Sequence, residues 1–120
     1  MLPNGLESID RLAFSKSGLE SVEFPSSLRK IAQVVFAECR NLKKVKFNDG
    51  LEVLGTDECV AGYIMYTGVF YKSALENIEL PSTLKKIKSG AFSECKYLKS
   101  IKLPGCLEHI EIFAFAKSGL

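Results

Sequence analysis

The sequence is poor in the residues from which metal sites and catalytic centres are built. It has no tryptophan and one histidine, His109, and its four cysteines, at positions 39, 59, 95 and 106, form no CxxC pair. A zinc site needs histidine or cysteine ligands at short, regular spacings, so neither a metal ion nor another cofactor is predicted. The GxSxG, P-loop, GxGxxG and HExxH motifs are also absent, so we do not expect an enzyme.

Excess charge and long apolar runs are missing too. The formal net charge is +2 in 120 residues, which is too small a basic excess to predict a nucleic-acid partner. No apolar run approaches the length of about 18 residues that a membrane span requires. The first residues lack the basic and apolar regions of a signal peptide, so the localisation is unknown from these features. The proportions of hydrophobic residues (47%) and charged residues (25%) are those of one folded domain.

What the sequence does have is an internal repeat. PSSLRKIAQVVFAECRNLKKVKF (25–47) and PSTLKKIKSGAFSECKYLKSIKL (81–103) are both 23 residues long and share their proline, leucine, isoleucine, phenylalanine and cysteine positions. Three less regular copies align with them. A fixed period of this length indicates a solenoid, in which stacked repeats share one core. We therefore divide a single domain, 1–120, into repeats 1 to 5: 2–24, 25–47, 48–80, 81–103 and the partial 104–120.

Apolar residues that recur at equivalent offsets form the predicted core. One column is phenylalanine and is expected to run as a spine along the solenoid axis, with columns of leucine and isoleucine around it. Three of these columns are Phe14, Phe36, Phe70, Phe92 and Phe115; Leu19, Leu42, Leu75, Leu98 and Leu120; and Ile9, Ile31, Leu54, Ile87 and Ile110.

Each repeat contains two patterns that predict strands and one that predicts a turn of helix. The segment LxxVxF or LxxIxL alternates apolar and polar residues, as a strand with one buried face does. The proline that follows ends this strand, and the shorter LxxI pattern after it predicts a second strand. The AFxxC stretch has near-helical spacing and predicts a single helical or 3-10 turn.

The pattern PxxLxxIxxxAFxxCxxLxxIxL resembles the BspA-type leucine-rich repeat (LRR type 5), and residues 81–103 match it at nearly every position. The resemblance covers essentially the whole chain. It implies an α/β leucine-rich-repeat solenoid, right-handed, with parallel strands, short helical or 3-10 turns and about 23 residues per repeat. It also implies a cell-surface or secreted protein with a role in adhesion. Asn48 in place of the proline, and Ser17, Ser73 and Ser118 in place of the cysteine, depart from the pattern.

The repeats also alternate in charge. Repeats 2 and 4 each carry six basic residues and one acidic residue, whereas repeat 3 carries six acidic residues and one basic residue. Equivalent positions on parallel strands stack about 4.8 Å apart, so the alternation predicts rows of alternating sign. The rows are Glu20, Lys43, Glu76 and Lys99; Glu23, Lys46, Glu79 and Lys102; and Glu7, Arg29, Glu52, Lys85 and Glu108.

Two interpretations of these charge rows are open. In the favoured one the charges form ion pairs that fix the register of the stacked repeats. In the other they form a charged binding face, which is the weaker interpretation because a row of near-zero net charge steers ligands poorly.

Neither the cysteines nor the histidine is expected to do chemistry. Cys39 and Cys95 occupy a core-facing column, and we predict that both are buried and reduced. One repeat lies between them, which places them about 10 Å apart, beyond the reach of about 7 Å for a disulfide. Cys59 and Cys106 fall in loops, and nothing in the sequence selects a pairing for them. His109 is predicted to be a solvated surface residue.

Repeat 3 contains an insertion, TDECVAGYIMYT, at residues 56–67. Insertions in solenoids form loops that often lie on the binding side. The insertion includes the apolar side chains Tyr63, Ile64, Met65 and Tyr66. Either they fold back on the flank of the solenoid, which we favour, or they form a contact patch for a partner protein.

These features favour a non-catalytic protein-interaction or surface-display module whose ligand the sequence does not identify. The alternative is a purely structural spacer array within a larger protein. No polar cap covers the first or the last repeat, so we expect the chain to belong to a longer array or to self-associate through its uncapped ends.

Overall fold

Repeats 1 to 4 each contribute a short strand to each of two sheets in the computed structural model, which describes residues 2–10, 12–56 and 68–120. The strands of the first sheet are Ser8–Ile9 (β1), Lys30–Ile31 (β3), Val53–Leu54 (β5), Lys86–Ile87 (β7) and His109–Ile110 (β9). Those of the other sheet, which we name the charged sheet, are Ser21–Glu23 (β2), Lys44–Lys46 (β4), Asn77–Glu79 (β6) and Ser100–Lys102 (β8). The partial repeat 5 contributes a strand to the first sheet but not to the charged sheet.

Both sheets are parallel and follow the order of the repeats. The first sheet runs β1-β3-β5-β7-β9 and the charged sheet runs β2-β4-β6-β8, so each strand pairs with the strand one repeat away. Residues at equivalent offsets in neighbouring repeats lie side by side: Val22 is paired with Val45, and Ile78 is paired with Ile101. The predicted parallel solenoid with about 23 residues per repeat is therefore confirmed.

The predicted helical turn is wrong: the described part of the AFxxC segments forms successive turns and contains no helix. In repeat 2 the Cys39 N–H donates to the Phe36 carbonyl at 3.3 Å, and Glu38 between them has a φ of 57°. The N–H groups of Phe36 and Glu38 donate instead to repeat 3, to the carbonyls of Val69 at 2.9 Å and Tyr71 at 2.6 Å. A helix would use such N–H groups for bonds to its own preceding turn. Stacking between repeats therefore replaces the helix with a third, turn-built side of the solenoid.

The phenylalanine column forms a continuous stack through the core, as predicted. Successive ring centroids from Phe14 to Phe115 lie between 5.3 and 5.5 Å apart, with nearly parallel planes. The three central rings of this stack are fully buried, so each ring packs against an equivalent ring in the neighbouring repeats. Leucines that surround the stack are also at most 1% exposed: Leu28, Leu42, Leu51, Leu54, Leu75, Leu84 and Leu98.

The solenoid is continuous on both sides of the insertion. Repeat 3 is described up to Thr56 and again from Gly68. A Cβ atom at position 68 would overlap the carbonyl oxygen of Gly90, so the close approach of repeats 3 and 4 requires glycine there. Gln33 is 1% exposed and donates from Nε2 to the Ser89 carbonyl at 3.2 Å, which links repeat 2 directly to repeat 4. Nowhere in the described chain is there a helix long and apolar enough to cross a membrane.

Candidate functional site

The outer face of the charged sheet carries a row of four ionised side chains in register. Pairing between the strands places Glu23 beside Lys46, Lys46 beside Glu79 and Glu79 beside Lys102. The Lys46 Nζ lies 3.6 Å from a carboxylate oxygen of Glu23, and the Lys102 Nζ lies 3.7 Å from one of Glu79. Both lysine side chains are more than two-thirds exposed, so solvent screens each pair and leaves it worth about 0.2–1 kcal/mol.

The other two predicted rows also lie along the stacking direction. Backbone bonds join Lys43 to Glu20 and Lys99 to Glu76, at 2.9 and 2.7 Å, and all four side chains are exposed. In the third row, beside the first sheet, Lys85 is paired with Glu52 at 3.1 Å. Lys85 donates a hydrogen bond to this carboxylate, and that bond, together with the negative charge of Glu52, raises the pKa of Lys85 above its ordinary value.

A groove of about 510 Å³ lies where strands β4, β6 and β8 end, and we name it the sheet-end groove. Its apolar lining includes the residue that follows each strand: Phe47, Leu80 and Leu103. Leu103 is 46% exposed, whereas Leu80 is buried. Lys46, Glu79 and Lys102 also line this groove. Apolar surface framed by ionised groups of both signs is the usual composition of a protein-binding patch.

A second groove, of about 350 Å³, lies at the other end of these strands, just before β4, β6 and β8 begin. We name it the corner groove. Phe36 and Leu42 are six positions apart, and Phe92 and Leu98 likewise, but Phe70 and Leu75 are only five apart. Both ends of each segment are buried, so the extra residue in repeats 2 and 4 must be accommodated at the surface. These two repeats therefore flank a recess over repeat 3. The sequence shows this difference, because repeats 2 and 4 carry CRNL and CKYL where repeat 3 carries SAL. We did not predict from it that a groove forms over repeat 3.

The predicted contact residues Tyr63, Ile64, Met65 and Tyr66 lie outside the described residues, as does Cys59. A polar cluster is described close to the point where the insertion begins. Lys88, whose side chain is 13% exposed, is paired with Glu111 at 3.2 Å, and the same carboxylate accepts a bond from the Ser89 N–H.

The thiols of Cys39 and Cys95 are buried and unpaired, as predicted. Each donates to the carbonyl of a phenylalanine in the preceding repeat, at 3.0 Å to Phe14 and 3.1 Å to Phe70. Burial raises the pKa of Cys95 from 9.0 to about 11, although hydrogen bonds with Ser73 act in the opposite direction. A thiol held in its protonated form is a poor nucleophile.

Cys106 and His109 lie at the surface. The Cys106 thiol is free and exposed, and it donates to the Ser82 carbonyl at 2.7 Å. His109 is exposed on β9, where it stands beside Lys86 of β7, in agreement with the predicted surface position. Within residues 2–10, 12–56 and 68–120, no three histidine, cysteine, aspartate or glutamate side chains are grouped so that they could hold a metal ion.

Comparisons with known proteins agree with the repeat architecture. The sequence profile of a family described as "BspA type Leucine rich repeat region (6 copies)" matches residues 1–60 and 64–120. The chain is also similar to a leucine-rich repeat protein of Bacteroides ovatus ATCC 8483 whose crystal structure is known, with 29% identity and a TM-score of 0.82. That similarity covers 100% of this chain but only 29% of the Bacteroides protein, so the chain spans less than a third of its length. No curated protein matches the chain.

Proposed function

Because the chain belongs to the family of BspA-type leucine-rich repeat regions, we propose that it is a non-catalytic module that binds another protein. We place the contact at the sheet-end groove, where strands of the charged sheet end. The family resemblance extends the proposal to display at the cell surface or secretion, with a role in adhesion.

The observation that carries this proposal is the sheet-end groove. Phe47 is half-buried, Leu80 beside it is buried, and Leu103, in the last repeat that contributes a strand to this sheet, is 46% exposed. Lys46, Glu79 and Lys102 stand around these apolar side chains. An apolar centre with a charged rim matches the anatomy of protein interfaces, in which the centre supplies affinity and the rim supplies orientation.

The insertion would add a second contact to the same partner. Tyrosine and methionine are enriched in protein interfaces, and Tyr63, Met65 and Tyr66 concentrate both types in one short segment. This part of the proposal rests on the sequence alone.

A comparison of two matched variants tests the proposed surface. Leu103→Glu introduces a charge into the exposed apolar lining of the sheet-end groove, whereas Ile112→Glu introduces it at another exposed apolar residue, 60% exposed, in the turn-built side. Each immobilised protein would be exposed to surface and matrix extracts, and retained proteins would be quantified by mass spectrometry. We expect a set of proteins that the parent and Ile112→Glu retain and that Leu103→Glu loses. Equal retention by both variants would contradict the assignment.

A spacer array is the second candidate function. It is favoured by the pairing of Lys46 with Glu23 and of Lys102 with Glu79, because charges that satisfy one another are less available to a ligand. If the parent protein retains only proteins that an unrelated solenoid also retains, the spacer function is the better account.

A further inference from the structure

We propose that the corner groove binds an acidic, extended segment of a partner protein. This site lies where the strands of the charged sheet begin, whereas the sheet-end groove lies where they end, and the two would recognise ligands of different chemistry. The inference therefore goes beyond the proposed function and does not depend on it. Four features of the groove support the inference: its width, its basic charge, the exposed tyrosine on one side, and the bonds that already engage the carboxylates beside its basic residues.

The width of the groove fits one extended chain. Repeats 2 and 4 flank it through Arg40 on one side and Lys96 and Tyr97 on the other, and Ser73 and Ala74 of repeat 3 form its buried floor. Stacked repeats are about 4.8 Å apart, so the two flanks are about 10 Å apart. An extended segment that lies over repeat 3 would therefore be about 4.8 Å, the usual distance between neighbouring strands, from repeat 2 on one side and from repeat 4 on the other.

The charge of the groove selects an acidic ligand. Arg40 and Lys96 are exposed on opposite flanks, and Lys72 lies between them, with its Nζ 5.3 Å from the centre of the Tyr71 ring. Lys43 and Lys99 follow on the same two flanking repeats, with Glu76 of repeat 3 between them, and all three are exposed. Basic side chains therefore line both sides and part of the floor.

The carboxylates beside the basic residues of the two flanks, Glu94 and Glu38, are already engaged. Glu94 accepts a hydrogen bond from the Tyr71 hydroxyl at 3.1 Å. Glu38 lies 3.1 Å from the Arg40 guanidinium and 3.9 Å from Lys16. The contact with Glu38 uses one nitrogen of Arg40, and a guanidinium carries five N–H donors. Arg40 can therefore hold a second carboxylate while it keeps the first.

The geometry also points to the pattern of the ligand. Successive side chains of an extended segment point to opposite sides. Two adjacent acidic residues would therefore reach Arg40 with one carboxylate and Lys96 with the other. Tyr97 is 64% exposed beside Lys96, and tyrosine and arginine are the residue types that most often carry the energy of protein interfaces. These features favour a peptide over an anion that is recognised by charge alone.

Binding of a fluorescent poly-L-glutamate peptide to the whole chain, measured by anisotropy at low salt, tests this proposal. We expect saturable binding that weakens as salt rises, because the contacts are exposed ion pairs. Arg40→Glu combined with Lys96→Glu should weaken binding by about tenfold or more, since reversed charges then face the ligand's carboxylates. Tyr97→Ala should weaken binding by a few fold and Tyr97→Phe should preserve it.

Matched controls separate the site from general attraction to a basic protein. Lys30 and Lys86 are exposed lysines of the first sheet, so Lys30→Glu combined with Lys86→Glu makes a comparable change in net charge away from the groove. This control should leave the affinity within about twofold, as expected for distant screened charges. Leu103→Glu should also leave it unchanged, so the two grooves can succeed or fail separately.

Several outcomes would overturn the proposal. These are no saturable binding of poly-L-glutamate, equal binding of polyglutamine, or equal loss of affinity in the Lys30 and Lys86 control. Tighter binding of a sulfated oligosaccharide, lost in the same groove variants, would assign the groove to a saccharide instead of a peptide. Circular dichroism of each variant would show that the fold is retained, and Tyr97→Ala tests the groove without any change of charge.

Discussion

At the scale of single residues, the turn-built side of the solenoid uses a backbone conformation that is costly for most residues. Equivalent positions in all five repeats have φ between 53° and 59°, and none is glycine: Lys16, Glu38, Lys72, Glu94 and Lys117. This left-handed conformation costs about 1–2 kcal/mol per residue for side chains with a Cβ. In repeats 1 to 4 the N–H of this residue donates to the next repeat, at 2.6 to 3.1 Å. Bonds between repeats therefore offset the local cost.

The buried thiol of Cys95 predicts a loss of stability in alkaline solution. Its pKa rises from 9.0 to about 11 because the folded core excludes water. Between these values the unfolded chain has lost a proton that the folded chain still holds, so the free energy of unfolding falls as pH rises. We expect this thiol to contribute a loss on the order of 2 kcal/mol from about pH 8 to about pH 11.

Urea unfolding of the parent and of Cys95→Ala across this pH range measures the contribution of the thiol. All other ionisable groups are common to both proteins, so the difference between the two curves isolates Cys95. The curves should converge as pH rises, because only the parent loses the stability associated with the protonated thiol. Parallel curves would show that the thiol is less buried than the structure indicates.

At the scale of elements, the insertion interrupts a repeat that is otherwise regular. Direct joining of Thr56 to Gly68 would leave Leu54 and Phe70 at the spacing of Ile87 and Phe92 in repeat 4. Gly68 would then occupy the column in which Leu12, Val34, Gly90 and Phe113 all have positive φ, and glycine adopts that conformation at little cost.

Deletion of residues 57–67 should therefore leave one cooperative unfolding transition. The free energy of unfolding should change by no more than about 1 kcal/mol, since loop length affects closure entropy only slowly. Chemical denaturation monitored by circular dichroism measures it. Gly68→Ala is the contrast, and it should destabilise the full chain because its Cβ would overlap the Gly90 carbonyl. A broad or non-cooperative transition in the deletion variant would show that the insertion belongs to the core.

Strands and core could be predicted from the sequence because the period decides which residues meet. Once equivalent positions are known to stack, the partners of Val22 and Phe36 follow from counting. The turn-built side could not be predicted this way, because its near-helical spacing says nothing about where the N–H groups of Phe36 and Glu38 donate. The corner groove was missed for a related reason: the extra residue before Leu42 and Leu98 alters local shape while the period of the columns is unchanged.

At the scale of the whole molecule, the solenoid behaves as a one-dimensional stack in which each repeat contacts mainly its neighbours. Its stability is then largely a sum of contacts between adjacent repeats, and the register of those contacts must be fixed. Apolar columns alone fix it weakly, since leucine and isoleucine recur in every repeat. The alternation of Glu23, Lys46, Glu79 and Lys102 adds a preference for opposite charges on adjacent strands. We infer that these rows have mainly a structural role.

The free energy of unfolding of Lys46→Glu at low salt tests the repeat register most directly. Lys46 stands between Glu23 and Glu79, so the substitution places three carboxylates in a row. Lys30→Glu is the matched control, because this exposed strand lysine stands between Ser8 and Val53, which carry no charge. We predict that Lys46→Glu loses about 1 kcal/mol or more relative to this control, that added salt reduces the difference, and that Glu23→Lys in the same molecule recovers part of it. Equal low-salt stability of Lys46→Glu and Lys30→Glu would contradict the account.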